Sequence, residues 1–161
     1  MSGRSRLSVR RARAGDVAGV AAMRRALLAE HADDRIFGRL RRDVGRRNLG
    51  AVRAALSQDD RLVLVAAAGA ALVGTLECAV ARNHALLTSE HVGYLSAVYV
   101  RPSARGRGVL TRMVSMAERW CRARRLTELR LHTGANNPLS NVVWERLGFA
   151  VAEHTRLRAI A

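Results

Sequence analysis

The residues whose types and spacing most clearly suggest chemistry run from Val98 to Leu110. There an apolar strand leads through an Arg- and Gly-rich turn into a helix. The start of a helix exposes unpaired N–H groups at the positive end of the helix dipole, and so forms an anion site. Gly106 and Gly108 allow the backbone to come close to a phosphate, and Arg105 and Arg107 add positive charge. The segment predicts a site for a pyrophosphate-bearing ligand; the alternative is an ordinary basic turn between a strand and a helix.

The sequence excludes two common phosphate-binding loops at this turn. A Walker loop requires Gly-Lys-Ser/Thr, which does not follow here. The dinucleotide-binding fingerprint requires a third glycine and an acidic residue further along, and both are missing. The ligand must therefore be recognised in another way.

A second segment, about thirty residues further along, narrows the choice. Asn137 and Pro138 have the types preferred at the N-cap and first position of a helix, and Gly148 is expected to end that helix. Arg-Gly-x-Gly after Val-x-Val-x-Pro resembles the acyl-CoA-binding motif of the GNAT N-acetyltransferase superfamily. The stretch from Asn137 to Phe149 resembles that superfamily's second motif, in which an Asn opens a helix that ends in Tyr-Glu-Lys-x-Gly-Phe. The resemblance covers residues 7–160 and is weak before Leu62.

The resemblance implies an N-acetyltransferase that uses acetyl-CoA as co-substrate. It implies that a bulge splays the strand over 95–100 away from the strand over 129–133, with pantetheine in the resulting V. It also implies that a primary amine of a small molecule or peptide attacks the thioester directly in a ternary complex. The residues that the resemblance assigns to acetyl-CoA binding are Val98, Tyr99, Val100, Arg105, Gly106, Arg107, Gly108, Val109, Leu110, Asn137 and Trp144.

The sequence departs from the family pattern at the group that would protonate the leaving thiolate. Trp144 stands where the family commonly has a Tyr, and an indole N–H is no general acid at neutral pH. Trp144 either packs on the pantetheine arm and orients the thioester or belongs to the core. Ser140, Tyr99 and a water molecule are the candidate acids. Leu110 replaces the usual Gly or Ala, and we expect acetyl-CoA binding to survive that change.

The carboxylate that the family often carries before the motif is missing as well, because Ser96 and Ala97 stand there. Glu77 is the leading candidate for the catalytic base, since an acidic residue that interrupts an apolar strand needs a reason. The alternative is that Glu77 points to solvent. The remaining candidates are Glu90, His91, His132 and His84, although an isolated histidine is more often structural or solvated than catalytic.

The cysteines and tyrosines carry weaker expectations. Cys78 and Cys121 lack a partner histidine at a catalytic spacing and are expected to be buried small hydrophobes. They are either free thiols, which suit a cytosolic protein, or one buried bridge. Tyr94 and Tyr99 either line the acceptor groove or pack in the sheet. No metal site is expected.

Hydrophobic periodicity predicts an α/β domain with the order β-α-α-β-β-β-α-β-α-β. Asp16 is expected to be the N-cap of a helix over about 17–29, and residues 31–61 predict one or two helices. The other predicted helices are 109–124 and 138–147, and the predicted strands are 7–11, 62–67, 71–81, 92–100, 126–133 and 149–157. The fold class is thus a single-domain, GNAT-like fold with a mixed central sheet and splayed strands. It spans residues 1–161, with 1–6 as a disordered leader.

Composition limits the remaining choices. The 161 residues are 49% hydrophobic, which predicts one compact domain rather than a disordered chain. The chain has 28 basic residues, all of them arginine, and 13 acidic residues, so its formal net charge is +15. A charge of this size attracts polyanions such as nucleic acid, anionic membrane or phosphorylated cofactors. The apolar run Leu62–Leu76 is too short to span a membrane, so we expect a cytoplasmic protein without a membrane partner.

The sequence is compatible with three functional classes, and an N-acetyltransferase is the first of them. A non-catalytic acyl-CoA-binding or sensing module is the second, favoured by the missing Tyr and carboxylate. A nucleic-acid-binding module is the third; only 4% of residues are aromatic, too few for stacking platforms. The family's habits imply a homodimer through the last strand or its flank. The arginines over 39–47 either are solvated or form a basic rim that favours an acceptor with a carboxylate or phosphate.

Overall fold

Five strands form one mixed sheet with helices on both faces, in a computed structural model that describes residues 7–160. The expected leader over residues 1–6 lies outside the described residues. The elements are β1 (Leu7–Arg11), α1 (Val17–Glu30), α2 (Val44–Leu56), β2 (Arg61–Ala68), β3 (Ala71–Arg82), β4 (His91–Val100), α3 (Val109–Ala123), β5 (Leu129–Leu131) and α4 (Pro138–Arg146). They confirm the predicted α/β class and the predicted order as far as α4.

The strands lie in the order β1-β2-β3-β4-β5. The first three pairings are antiparallel, and β4 pairs with β5 in parallel. The β2–β3 hairpin forms because two apolar runs flank Gly69, whose φ of 62° is left-handed and costs a glycine little. Both strands have six consecutive buried residues, since helices cover both faces of the sheet.

Two hydrophobic clusters lie on opposite faces of the sheet. On one face, α3 and α4 pack against the strands; this cluster includes Leu64, Leu76, Leu95, Met113, Ala117 and Trp144. On the other face, α1 and α2 pack against the strands; this cluster includes Val20, Met23, Val52, Val63, Val65 and Tyr99. The two faces are called the α3 face and the α1 face below.

The parallel pair β4–β5 is short, and the two strands then part. Gly93–Leu95 pair with Leu129–Leu131, after which β4 continues to Val100 without β5 beside it. The strand predicted over 126–133 is therefore reduced to three residues. The free edge of β4 over 96–100, called the opening below, lies where the family resemblance implied a V between the two strands.

A bulge bends β4 at the start of this opening. Ala97 and Val98 together oppose the single residue Leu76 of β3, between the pairs Thr75–Tyr99 and Glu77–Ser96. Ala97 has a φ of 49°, a conformation that costs a non-glycine residue roughly 1 kcal/mol or more. Backbone strain of this kind is often found where a site requires it.

The last predicted strand, Phe149–Leu157, is wrong for the single chain. Residues 149–160 form no strand, and all but Phe149 are exposed. The apolar residues of this segment suggested a strand, but a strand also needs a partner edge. The described part of one chain does not bring such an edge to this segment.

Of two expectations for the region around α1, the one or two helices over 31–61 are confirmed and the Asp16 cap is not. Residues 31–61 hold one helix, α2, preceded by a turn-rich segment over 31–43. Asp16 does precede α1, but its side chain does not cap the helix. Its carboxylate instead accepts from the Arg10 guanidinium at 2.6 and 2.9 Å and from the Arg13 amide at 2.7 Å. Arg10 thus competes with the helix for this carboxylate, which the capping pattern alone does not show.

No helix within residues 7–160 is both long enough and apolar enough to cross a membrane.

Candidate active site

The turn before α3 forms a cradle of backbone amides, defined here as residues 106–111. Gly106 and Gly108 have left-handed φ angles of 71° and 73°, which only glycine adopts cheaply. The first hydrogen bond of the helix runs from the Arg112 N–H to the Gly108 carbonyl, at 3.2 Å. The amides of residues 109–111 come before this bond and therefore have no partner inside the helix. A Cβ at either glycine would meet no atom within 4 Å. The cradle therefore faces open space and suits an anion.

The two arginines of the turn have different surroundings. Arg105 Nε donates to the Val100 carbonyl at 2.9 Å, and its Nη2 pairs with Glu30 at 2.6 Å. Its guanidinium also lies 5.8 Å from the centre of the Tyr99 ring. Arg107 is exposed and makes no ion pair with any of residues 7–160. Arg105 thus fastens the turn to α1, which leaves Arg107 as the freer charge beside the cradle.

The end of β4 connects the cradle to the opening. Val98 and Val100 pack on the α3 face, whereas Tyr99 is buried on the α1 face. The edge of this stretch that is turned away from β3 has no strand beside it in the described part of the chain, because β5 ends at Leu131. Its backbone groups can therefore pair with an extended ligand.

The start of α4 agrees with the prediction. Asn137 Oδ1 accepts from the Ser140 amide at 3.1 Å, and Pro138 occupies the first turn. The Asn137 side chain is thus used as a helix cap. Ser140 is half-buried and lies one helical turn before Trp144.

Trp144 belongs to the hydrophobic cluster of the α3 face, with 8% of its surface exposed. Its ring meets Phe149 edge-on, with ring centres 5.2 Å apart and an interplanar angle of 80°. Leu110, half-buried, packs against the same cluster. These contacts favour the interpretation that Trp144 belongs to the core over the alternative that it packs on the pantetheine arm of acetyl-CoA.

Glu77 does not point to solvent, so that alternative is wrong. It lies on the α1 face with 4% of its surface exposed, beside Ser96 in the sheet register. One carboxylate oxygen accepts from Arg24 of α1 and the other from Arg61 of β2. The acidic residue in an apolar strand is thus explained by its ion pairs with two half-buried arginines. A carboxylate held on both oxygens is poorly placed to take a proton from a substrate.

Tyr94 and His132 form a contact that sequence reasoning missed. Gly93 and Leu95 face α3, so Tyr94 between them faces the α1 side. The Tyr94 hydroxyl is hydrogen-bonded to His132 Nδ1, with ring centres 5.5 Å apart. Partial burial raises the pKa of Tyr94, and a hydrogen bond from the His132 backbone partly opposes this. The sequence shows each residue only by itself, because the β4–β5 register that joins them is not visible in it.

The other candidate bases are not brought to the opening. His91 and Glu90 are exposed at the start of β4, whereas the opening begins after Leu95. His84 is exposed in the loop before β4.

The segment over 31–43 borders the opening on the α1 side. A Cβ at Gly134, just after β5, would lie 2.9 Å from Asp34 Oδ2. Asp34 also accepts from the amides of Ile36 and Phe37 at 2.8 Å, and these two bonds lower its pKa. The segment therefore touches the residues that follow β5 and forms one wall of the space on this face.

Cys78 and Cys121 are buried as expected, and both are free thiols. Their sulfur atoms lie 3.7 Å apart. A hydrogen bond with Cys121 and burial together raise the pKa of Cys78. Cys78 and Cys121 both pack in the hydrophobic cluster of the α3 face and do not line the opening.

Comparisons with known proteins agree with this geometry. Residues 25–149 match the acetyltransferase (GNAT) family, whereas no curated protein sequence matches the chain. Among the solved structures, 240 chains match this one, and three that share the fold at low identity illustrate the match.

A predicted acetyltransferase from Clostridium acetobutylicum, solved with acetyl-CoA, is 18% identical with a TM-score of 0.78, over 95% of this chain and 96% of that chain. The aminoglycoside 6'-N-acetyltransferase AAC(6')-IG from Acinetobacter haemolyticus is 21% identical with a TM-score of 0.77, over 96% and 98%. AAC(6')-Iy in complex with CoA is 20% identical with a TM-score of 0.81, over 99% and 98%. The cradle, the bulge and the parted strands thus occur in a chain most of whose length matches one family, and the chain belongs to the acetyltransferase (GNAT) family.

Proposed function

We propose that the protein is an N-acetyltransferase that moves an acetyl group from acetyl-CoA to a primary amine. The observation that carries this proposal is the continuous path from the cradle along the opening, the free edge of β4. The amides of the cradle and Arg107 would hold the pyrophosphate. The edge of β4 over 98–100 would pair with pantetheine, as the family resemblance implies.

The opening also decides from which side the amine approaches. At this end of the sheet, Leu95, Leu129 and Leu131 pack in the α3-face cluster, whereas Tyr94 on the α1 face is only half-buried. The α1 face is therefore the more open side here, and we infer that the acceptor arrives from it. A direct attack in a ternary complex then needs the thioester at the bulge. A backbone N–H there, preorganised by the strained Ala97, would stabilise the oxyanion. Such stabilisation usually lowers the barrier to acyl transfer more than any other single interaction.

The sequence offers Glu77, Ser140 and Trp144 as catalytic candidates. Glu77 and Trp144 are better suited to holding the fold around the site than to proton transfer. Glu77 holds α1 and β2 together through its arginines, and Trp144 packs the α3 face. Ser140 remains a candidate proton donor for the departing thiolate, because it is half-buried one turn before Trp144.

In this proposal, the acceptor amine belongs to a small molecule or a peptide. Two of the three structures reported above are named as aminoglycoside acetyltransferases. The wall over 31–43 of this chain contains Arg35, Arg39, Arg41 and Arg42 against Asp33, Asp34 and Asp43. With Arg46 and Arg47 at the start of α2, the arginines exceed the aspartates by three, and this excess favours an acceptor with an anionic group near its amine over a polycation. Free, buried thiols fit a cytoplasmic location.

A panel of primary amines tests the proposed activity. The purified chain is incubated with acetyl-CoA and each amine, and free thiol is followed with time. We expect amine-dependent thiol release with at least one amino acid, peptide or phosphorylated amine. Acetyl-CoA binding without thiol release for every amine would instead indicate a sensing module. DNA binding with a steep salt dependence and no acetyl-CoA binding would indicate a nucleic-acid-binding module.

We also propose a homodimer through the segment 149–160. Val151 and Ile160 are 70% and 96% exposed, and Leu157 is 42% exposed, although all three are large and apolar. β5 is an edge strand of only three residues. A second copy would supply the strand partner that one chain does not bring to this segment.

The dimer proposal predicts that removing residues 150–161 leaves a monomer. Light scattering coupled to size-exclusion chromatography measures the mass of the full chain and of the truncated chain. The full chain is expected at twice the mass of one chain. A full chain that runs as a monomer at high concentration would contradict the proposal.

A further inference from the structure

The hydrogen-bonded pair Tyr94–His132 lies at the point where β4 and β5 part. The last parallel pair is Leu95 with Leu131, so His132 is the first residue of its segment beyond the pairing. By alternation from Leu131, which packs on the α3 face, the His132 side chain is on the α1 face. Its hydrogen bond to Tyr94, which also faces that side, agrees with this orientation.

This location combines three properties that a base for the acceptor needs. It borders the opening, it is on the face from which we infer that the acceptor arrives, and the imidazole is solvent-exposed. Neither the indole of Trp144 nor the doubly paired carboxylate of Glu77 offers such a group.

We propose that His132 is the catalytic base for the incoming amine and that Tyr94 is a positioning residue that holds its imidazole. This inference rests on the proposed acetyltransferase function. In the arrangement we infer, Nδ1–H of His132 donates to the Tyr94 oxygen. The lone pair of Nε2 is then directed away from Tyr94 and is free to accept a proton.

The proton and bond changes balance as follows. Nε2 takes one proton from the acceptor ammonium and passes it to solvent, which leaves a neutral amine. The amine nitrogen forms a C–N bond with the thioester carbon, and the C–S bond breaks. The imidazole takes up the excess proton on that nitrogen and passes it to solvent, while Ser140, the candidate donor, protonates the thiolate and regains its proton from solvent. The products are an amide and CoA as the thiol, and the imidazole is regenerated.

Charged groups near His132 come from three elements. Tyr94 faces it from β4. Arg130, two residues earlier, is held by Glu128 at 2.5 Å and by Asn83 at 3.3 Å. Asp34, on the segment over 31–43, lies against Gly134. Glu128 therefore offsets the positive charge of Arg130, and Asp34 adds a negative charge beside Gly134, so the surroundings carry charges of both signs.

The test compares His132→Gln with wild type, using the best amine from the panel. We expect kcat to fall by about 100-fold, as is typical when a general base is lost. The affinity for acetyl-CoA should stay within about 3-fold, because the cradle is not changed.

Two further variants separate catalysis from structure. Added imidazole should restore part of kcat in His132→Ala, an effect that a merely structural histidine would not give. Tyr94→Phe should lower kcat by about 10-fold, because the ring stays in place but loses the oxygen that orients His132. The matched control is His91→Gln at the exposed start of β4, which should keep wild-type kcat.

The outcomes distinguish this inference from the proposed function. A wild-type chain that releases no thiol with any amine would contradict both the proposed acetyltransferase function and the role of His132. Turnover by wild type together with kcat within about 3-fold in His132→Gln, or no rescue of His132→Ala by imidazole, would overturn the role of His132 alone.

Discussion

Replacing Gly108 with glutamate is expected to abolish acetyl-CoA binding. The substitution puts a carboxylate into the open space of the cradle, where a pyrophosphate is proposed to lie. Like charges at a binding interface cost several kcal/mol, so we expect an affinity loss of at least about 100-fold. The left-handed φ of 73° adds strain for any residue other than glycine.

Thermal unfolding in the presence of acetyl-CoA measures this effect. A ligand at 100 times its Kd stabilises the folded state by about 2.7 kcal/mol. That raises the Tm of a chain of this size by roughly 5 to 10 °C. Wild type should show this rise, and Gly108→Glu should show none.

Two control variants identify the cause of the loss. Gly108→Ala introduces the strain without the charge and should lose no more than about 10-fold in affinity. Gly50→Glu makes the same change in net charge on α2, where a Cβ also meets open space, and should bind as wild type. Equal losses in Gly108→Glu and Gly50→Glu, with Gly108→Ala binding as wild type, would mean that acetyl-CoA responds to net charge and not to the cradle.

The second large effect concerns stability: Glu77→Gln should lower the free energy of unfolding by about 3 kcal/mol. The side chains of Glu77 and Arg24 are only 5% and 11% exposed. The neutral amide would leave the Arg24 charge buried without a counter-ion. Arg24 already has a buried Nε without a partner among residues 7–160, so it has little to replace the lost contact.

Denaturant unfolding, followed by circular dichroism, gives this free energy directly. The matched control is Glu118→Gln, which breaks an exposed pair with Arg122 at 3.2 Å and should cost less than about 1 kcal/mol. The folded fraction of Glu77→Gln should keep kcat within about 3-fold of wild type. Near-wild-type stability with a kcat about 100-fold lower would show instead that Glu77 acts as the base.

Local patterns in the sequence predicted most of the elements and the anion site. The glycines at 106 and 108, the periodic apolar face of α3 and the Asn137 cap each act within a few residues. Their consequences can therefore be read without knowing the fold. The family resemblance added the parted strands, which no local pattern would have shown.

The expectations that failed or stayed open depend on contacts between distant residues. Glu77 is explained by Arg24 and Arg61, which lie 53 and 16 residues away. Tyr94 meets His132 across 38 residues because of the β4–β5 register. The segment 149–157 has the composition of a strand, but strand formation depends on a partner edge that composition does not reveal.

The central claim, that acetyl-CoA is the donor bound along the cradle and β4, is tested most directly by isothermal titration. Acetyl-CoA is titrated into the wild-type chain at physiological salt, with CoA and ATP as controls. We predict one acetyl-CoA per chain with a Kd in roughly the micromolar range, as is common for enzyme substrates. ATP should bind far more weakly, because it cannot use the edge of β4. No binding of acetyl-CoA, or equally weak binding of all three compounds, would contradict the account and leave the turn as a basic surface.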